Sequence, residues 1–194
     1  MQFKYFLYIG FIFLLQINPA TSACPDIDNL KVAESFGVQI CAMPNVDQKF
    51  VDHAKNVMDK LIDYNDDGLV DNQAVVDKVI TTGSVYAVFK SGRGERKFED
   101  VFWSEEVYDE FMPIFKKKRW DCEGEDEDKC MHAVESKYGT FLAVFTNEMN
   151  LSGNGWDPTI EEGLHLLTHM GYAHVYPEIF GQNKDSQIAK LMDV

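Results

Sequence analysis

The chain predicts an α+β fold: a helix-rich single domain that carries one helix–loop–helix unit and a small sheet. Two observations point to the helical unit, namely apolar residues at helical spacing on both sides of the acidic stretch "DYNDDGLVDN", and a glycine inside that stretch where the chain must turn. A third points to the sheet. The runs "SVYAVFK" and "TFLAVFTNEM" are rich in β-branched and aromatic residues and are bounded by turn-forming residues, as strands are.

The first element is a leader. One early positive charge at Lys4, an apolar run from Phe6 to Leu15 and small residues before Cys24 form a secretory signal peptide over residues 1–23, cut after Ala23 or Ser22. The apolar run is shorter than the ~20 residues a spanning helix needs and is broken at Gln16, Asn18 and Pro19. Residues 24–194 then form one domain, large enough to fold around its own core. They are expected outside the cell, with no membrane contact once the leader is gone.

Next comes a helix from Val46 to Ile62, with Val46, Phe50, Ala54, Val57, Met58 and Leu61 along one face. The acidic loop follows it. "NQAVVDKVITTG" supplies a second, shorter helix through Ala74, Val75, Val76 and Val79, stopped by Gly83, so the whole unit covers about residues 46–82. "SVYAVFK" is a strand ending at Lys90, and "SGRGERK" after it reads as a turn. A helix from Ser104 ends in lysines, with Pro113 kinking or shortening it, and "CEGEDEDKC" is a solvated acidic tip between two cysteines. "TFLAVFTNEM" is the second strand and "LSGNGWDP" an irregular connection. A last long helix runs from Thr159 toward Ala173, and "DSQIAKLMDV" forms a short terminal one.

A formal net charge of −14 repels nucleic acid and anionic lipid and favours divalent cations or a basic protein partner. Four cysteines in an oxidising compartment imply two disulfides. Three pairings are open; the pairs Cys24–Cys41 and Cys122–Cys130 close the shortest loops and are favoured on entropy. No Cys-x-x-Cys spacing suggests zinc. Asn150, Leu151 and Ser152 form a glycosylation acceptor triplet, which implies an exposed loop.

The acidic loop counts as a calcium site from Asp63. Asp63, Asn65 and Asp67 then hold positions one, three and five, Gly68 the sixth, and Asp71 the ninth, while Leu69 at the seventh offers its carbonyl. Alternate residues supply oxygen because the chain wraps around one ion. This loop resembles that of an EF-hand, with one departure: Ala74 stands where a bidentate glutamate would close the shell. Water, Asp71, Asn72 or Asp77 could take its place. The competing reading is a solvated acidic turn in which Asp71 caps the second helix.

"WDPTIEEGLHLLTHMGYAH" opens with Asp157 as N-cap and Pro158 in the first turn. Glu161, Glu162, His165, Thr168 and His169 share one side when projected at about 100° per residue. His165 and His169 are four apart, the spacing with which two imidazoles grip a metal. Leu166 and Thr168 stand where zinc proteases of either orientation place their glutamate, so neither signature is met. On the histidine spacing alone, the alternative function is a zinc-dependent hydrolase, with His165, His169 and Glu161 holding the metal and Glu162 as the base. His174 or Glu178 would add a further ligand. The competing reading is a solvated face of Glu–His pairs.

Together with the leader, "DYNDDGLVDN", "EEGLHLLTHMGY" and "YPEIFG" resemble a group of secreted proteins marked by an EF-hand-like loop. The resemblance covers much of the stretch from Asp63 to Met192 and implies calcium binding. A secreted calcium-binding protein, its ion fixing the junction between two helices, is the expected function.

Overall fold

The computed structural model describes residues 24–103, 135–181 and 184–192. The leader, the helix expected from Ser104 and the Cys122–Cys130 tip lie outside the described residues.

The strand order is β1 (Lys31–Ser35), β2 (Val38–Ala42), β3 (Val85–Phe89), β4 (Phe141–Phe145). β1 and β2 form an antiparallel hairpin in which Lys31 lies opposite Ala42 and Ser35 opposite Val38. Phe36 and Gly37 form its two-residue turn, with φ of 48° and 92°, the left-handed pair that matches strand twist. β2–β3 and β3–β4 are parallel, with Ala87 paired to Cys41 on one side and Ala143 on the other. The sequence predicts only β3 and β4. β1 escapes a strand pattern because it carries Lys31, Glu34 and Ser35 and is largely unburied, whereas β2 pairs it to the core.

Parallel neighbours require crossovers, and the first is made by α1 (Gln48–Ile62) and α2 (Gln73–Thr81). The expected helices are both present. In α1 the buried face is Val51, Ala54, Met58 and Ile62, rotated from the expected one, because Phe50, Val57 and Leu61 lie at its margin. α2 buries Val75, Val76 and Val79 and is capped by Asn72, whose side chain accepts from the Val75 N–H at 3.4 Å. Asp71 is therefore not its cap.

Every residue of β3 is buried, as a central strand covered on both faces must be. Alternation sends Tyr86 to one face, where its hydroxyl donates to the Thr159 carbonyl at 3.0 Å. Phe89 points the other way and meets Phe98 edge-on, ring centroids 5.3 Å apart. Phe98 belongs to α3 (Gly92–Phe102), which occupies the stretch expected to be a turn. Two glycines cost a helix roughly 1 kcal/mol each relative to alanine. The correction comes from packing: Phe98 and Phe102 join Phe89, Trp103 and Phe141 in one aromatic cluster, which outweighs that local cost.

Beyond β4 the chain forms α4 (Pro158–Leu166), a π-helical segment at Leu167–Tyr172, and α5 (Ala173–Val175) as one continuous rod. Thr168 Oγ1 donates back to the Leu164 carbonyl at 2.7 Å, a bond that loosens helical geometry just where the π segment begins. There Gly171 lies against α2: a Cβ on it would stand 2.6 Å from Val75 Cγ1 and 3.1 Å from the Val75 carbonyl oxygen. Two short helices, α6 (Pro177–Phe180) and α7 (Gln187–Met192), are the last elements among the described residues. Cys24 and Cys41 are disulfide-bonded, as favoured, which ties the segment before β1 to buried β2. The whole is an α+β domain.

Candidate functional site

The acidic loop folds around one carboxylate. Asp63, at the end of α1, is 6% exposed, and its two oxygens accept from the backbone N–H groups of Asp67 at 3.1 Å and Gly68 at 2.8 Å. Two turns of one kind follow. Asn65 Oδ1 accepts from Asp67 N–H at 2.9 Å, and Asp67 Oδ1 from Leu69 N–H at 2.9 Å, each side chain folding over its own backbone two residues on. Asp66 and Gly68 have φ of 62° and 81°, so the bend needs a left-handed residue at the sixth position, and glycine takes it without strain.

The ends of the loop are pinned as well. Asp71 N–H donates to the Ile62 carbonyl at 3.0 Å, and Asp71 Oδ2 accepts from the Tyr64 N–H at 2.8 Å. Val70 turns inward and packs against the core. Tyr64 and Leu69 project into solvent, 86% and 68% exposed. Asn65, Asp67 and Asp71 are exposed with them. Lys60 pairs with Asp66, which lies outside the expected coordinating set. Among the described residues no lysine, arginine or histidine pairs with Asp63, Asp67 or Asp71.

Two of the residues expected to stand in for the missing glutamate are engaged elsewhere. Asn72 caps α2 and donates its amide to the Tyr176 hydroxyl at 3.2 Å, and Asp77 Oδ1 accepts from Gln73 Nε2 at 2.7 Å. Ala74 is exposed at the start of α2. Asp71 remains at the loop. Among the described residues no three His, Cys, Asp or Glu side chains converge closely enough to hold a metal ion.

His165 and His169 line one shallow depression with Thr168, Ala173, Phe180 and Ile188. They are not equivalent. His165 is more than half exposed, with Nε2 3.9 Å from Glu161 Oε1, while His169 is mostly covered and its Nε2 contacts Glu135 Oε2. Burial pushes the Glu162 carboxyl above its usual range, His165 opposes this, and Glu161 and Glu148 add to it. His174 Nε2 lies 3.3 Å from Ser136 Oγ, and Glu178 is exposed on α6.

A pair not singled out by sequence lies on the other side of α4. His53 Nε2 is 2.7 Å from Asp157 Oδ2, joining the middle of α1 to the cap of α4. Asp157 Oδ1 accepts from the N–H groups of Thr159 at 3.0 Å and Asn150 at 3.2 Å. Burial alone would raise this carboxyl; hydrogen bonds from Thr159, His53 and Asn150 outweigh it and hold it below the usual aspartate range. Beside His53 runs an apolar groove walled by Val57, Leu61, Tyr64 and Ile160. Burial, then the charges of Glu162 and Asp157, push the Tyr86 hydroxyl far above its ordinary range, so it stays a donor. The signal for this pair in the sequence is only the Asp157 cap, since His53 gains meaning from a residue 104 positions away.

Comparison with known protein families, curated proteins and solved structures returned no match.

Proposed function

We propose that this chain is a secreted calcium-binding protein whose one EF-hand-like loop fixes the junction between α1 and α2. The observation that carries the reading is electrostatic: Asp63, Asp67 and Asp71 are gathered in one short bend with no basic side chain paired to them among the described residues. These carboxylates share the bend without converging on one point; their mutual repulsion opposes closer approach, and a divalent cation would relieve it and draw their free lone pairs inward.

The donor set suits calcium in type. Hard cations of this size take 6–8 oxygens of mixed origin, here Asp63, Asn65, Asp67 and Asp71 side chains, the Leu69 carbonyl and water. An ionised carboxyl has about four lone-pair sites, so the backbone bonds it accepts leave others for an ion. With Ala74 at the twelfth position, affinity falls in the range of ~10⁻⁴ to 10⁻³ M typical of extracellular modules. The role is structural, since a sensor opens a groove between paired hands. The leader and the Cys24–Cys41 disulfide support passage through an oxidising compartment, and the acidic surface suits a basic protein partner.

Titration calorimetry at millimolar calcium tests the reading. Heat of binding that disappears in Asp67→Ala is expected, along with a melting midpoint that rises with calcium in the parent alone. No uptake, and an unchanged midpoint in both proteins, would refute it.

A further inference from the structure

The connection from β4 to α4 is closed by one side chain. Asn150 Nδ2 donates to the carbonyls of Asn154 at 2.6 Å and Trp156 at 3.3 Å, while its Oδ1 accepts from the N–H and the hydroxyl of Ser152 at 3.2 and 2.6 Å. A carboxamide has two N–H donors, and here both are in use. The backbone N–H of the same residue donates to Asp157, so the closed loop is continuous with the α4 cap and with His53. Residues 151–156 are all exposed.

Asn150 also opens the triplet Asn-Leu-Ser, which has the acceptor pattern for N-linked glycan. We propose that Asn150 is a glycosylation site open only before the loop closes, so that glycan attachment and the native 150–157 loop exclude each other. This rests on the secretory reading above. In the transfer, the amide nitrogen bonds to the anomeric carbon of an oligosaccharide carried on a polyprenyl diphosphate. The carbon–oxygen bond to the diphosphate breaks, the diphosphate leaves with that electron pair, and the nitrogen's proton passes to a base. A glycosylated amide keeps a single N–H and cannot serve both carbonyls. The sugar would also stand where the Asn154 or Trp156 oxygen now lies. A chain modified first therefore keeps the loop open, and a chain folded first is protected.

Purified oligosaccharyltransferase and lipid-linked oligosaccharide, added to the full chain either during cell-free synthesis or after folding, test this without any need for translocation. A gain in mass equal to one glycan is expected during synthesis and should be lost when addition follows folding. Asp157→Ala removes the acceptor of the Asn150 backbone N–H and so weakens the anchor of the loop; it should raise modification of the finished chain above that of the folded parent. Ser152→Ala removes the acceptor pattern and the exposed hydroxyl bonds to Asn150 Oδ1 and from the Asn154 N–H but leaves both Asn150 donors; it should abolish the mass gain while the melt stays cooperative. Equal modification of the folded parent, a mass gain that persists in Ser152→Ala, or an unmodified nascent chain beside a modified control peptide would each overturn the proposal. Failure here leaves secretion standing; that is checked separately by whether the exported protein begins at Ala23 or Cys24.

Discussion

His53 Nε2 and Asp157 Oδ2 lie 2.7 Å apart and hold α1 against the N-terminus of α4. The carboxylate does three jobs at once, accepting from His53, from Thr159 at the helix start and from Asn150 in the preceding loop. Losing an N-cap costs about 0.5–2 kcal/mol, and leaving buried donors unmet costs ~1–3 kcal/mol more. Asp157→Ala should destabilise the domain by roughly 2–4 kcal/mol on those grounds, read by urea denaturation. His53→Ala should cost less, because it leaves the cap in place.

The same carboxyl sets an acid limit. Its folded pKa is depressed below the ordinary value of 3.8, so the stability it contributes is fully present above that value and is lost as pH falls through the lower folded one. Asp157→Asn should therefore cost most near neutral pH, and its penalty should shrink in denaturation curves taken at successively lower pH below 3.8. A penalty that stayed constant would show that the charge of Asp157 is not what the hydrogen bonds hold.

Ala74 offers a gain-of-function test. On the proposed calcium reading, Ala74→Glu supplies the bidentate carboxylate of the twelfth position and should tighten binding by about tenfold or more. Ala74→Gln, with one neutral oxygen, should fall between. Calorimetry on the three proteins gives the order directly; identical isotherms would place the ion elsewhere or nowhere.

Gly171 tests the close approach of the π segment to α2. A methyl group there would stand 2.6 Å from Val75 Cγ1, so Gly171→Ala should destabilise by about 1–3 kcal/mol although alanine favours helices. The pair with Val75→Ala should recover part of the loss in a thermal melt, because the smaller partner makes room.

The aromatic cluster offers a fifth. Phe98 is fully buried in α3, and Phe98→Ala should cost ~3–5 kcal/mol. Far-ultraviolet circular dichroism should also lose signal, since packing rather than propensity holds that glycine-bearing helix together.

Much of this fold can be read along the chain because the relevant signals are local. The α2 stop at Gly83, the Asp157 cap, the all-apolar β3 and the β4 run each carry their cause within a few residues. The alternation of oxygens at 63, 65 and 67 is likewise local, and the structure sets these residues in successive turns around Gly68. α3 is different: "SGRGERK" by itself favours a turn, and it becomes helix because Phe98 and Phe102 find Phe89 and Phe141 across the fold. β1 and β2 share that dependence, as a half-polar hairpin is stabilised only when β2 pairs with β3.

The sequence by itself determined α1, α2, β3, β4, the helix capped by Asp157 and the place of the acidic bend with the oxygens along it, because backbone preference and charge spacing act between near neighbours. Tertiary structure decided what those groups meet. It placed Glu135 on His169, Tyr176 on Asn72, Asp157 on His53 and Val75 beneath Gly171. Contacts between residues tens of positions apart depend on how elements pack, and packing is set by the whole core at once rather than by any one stretch of chain.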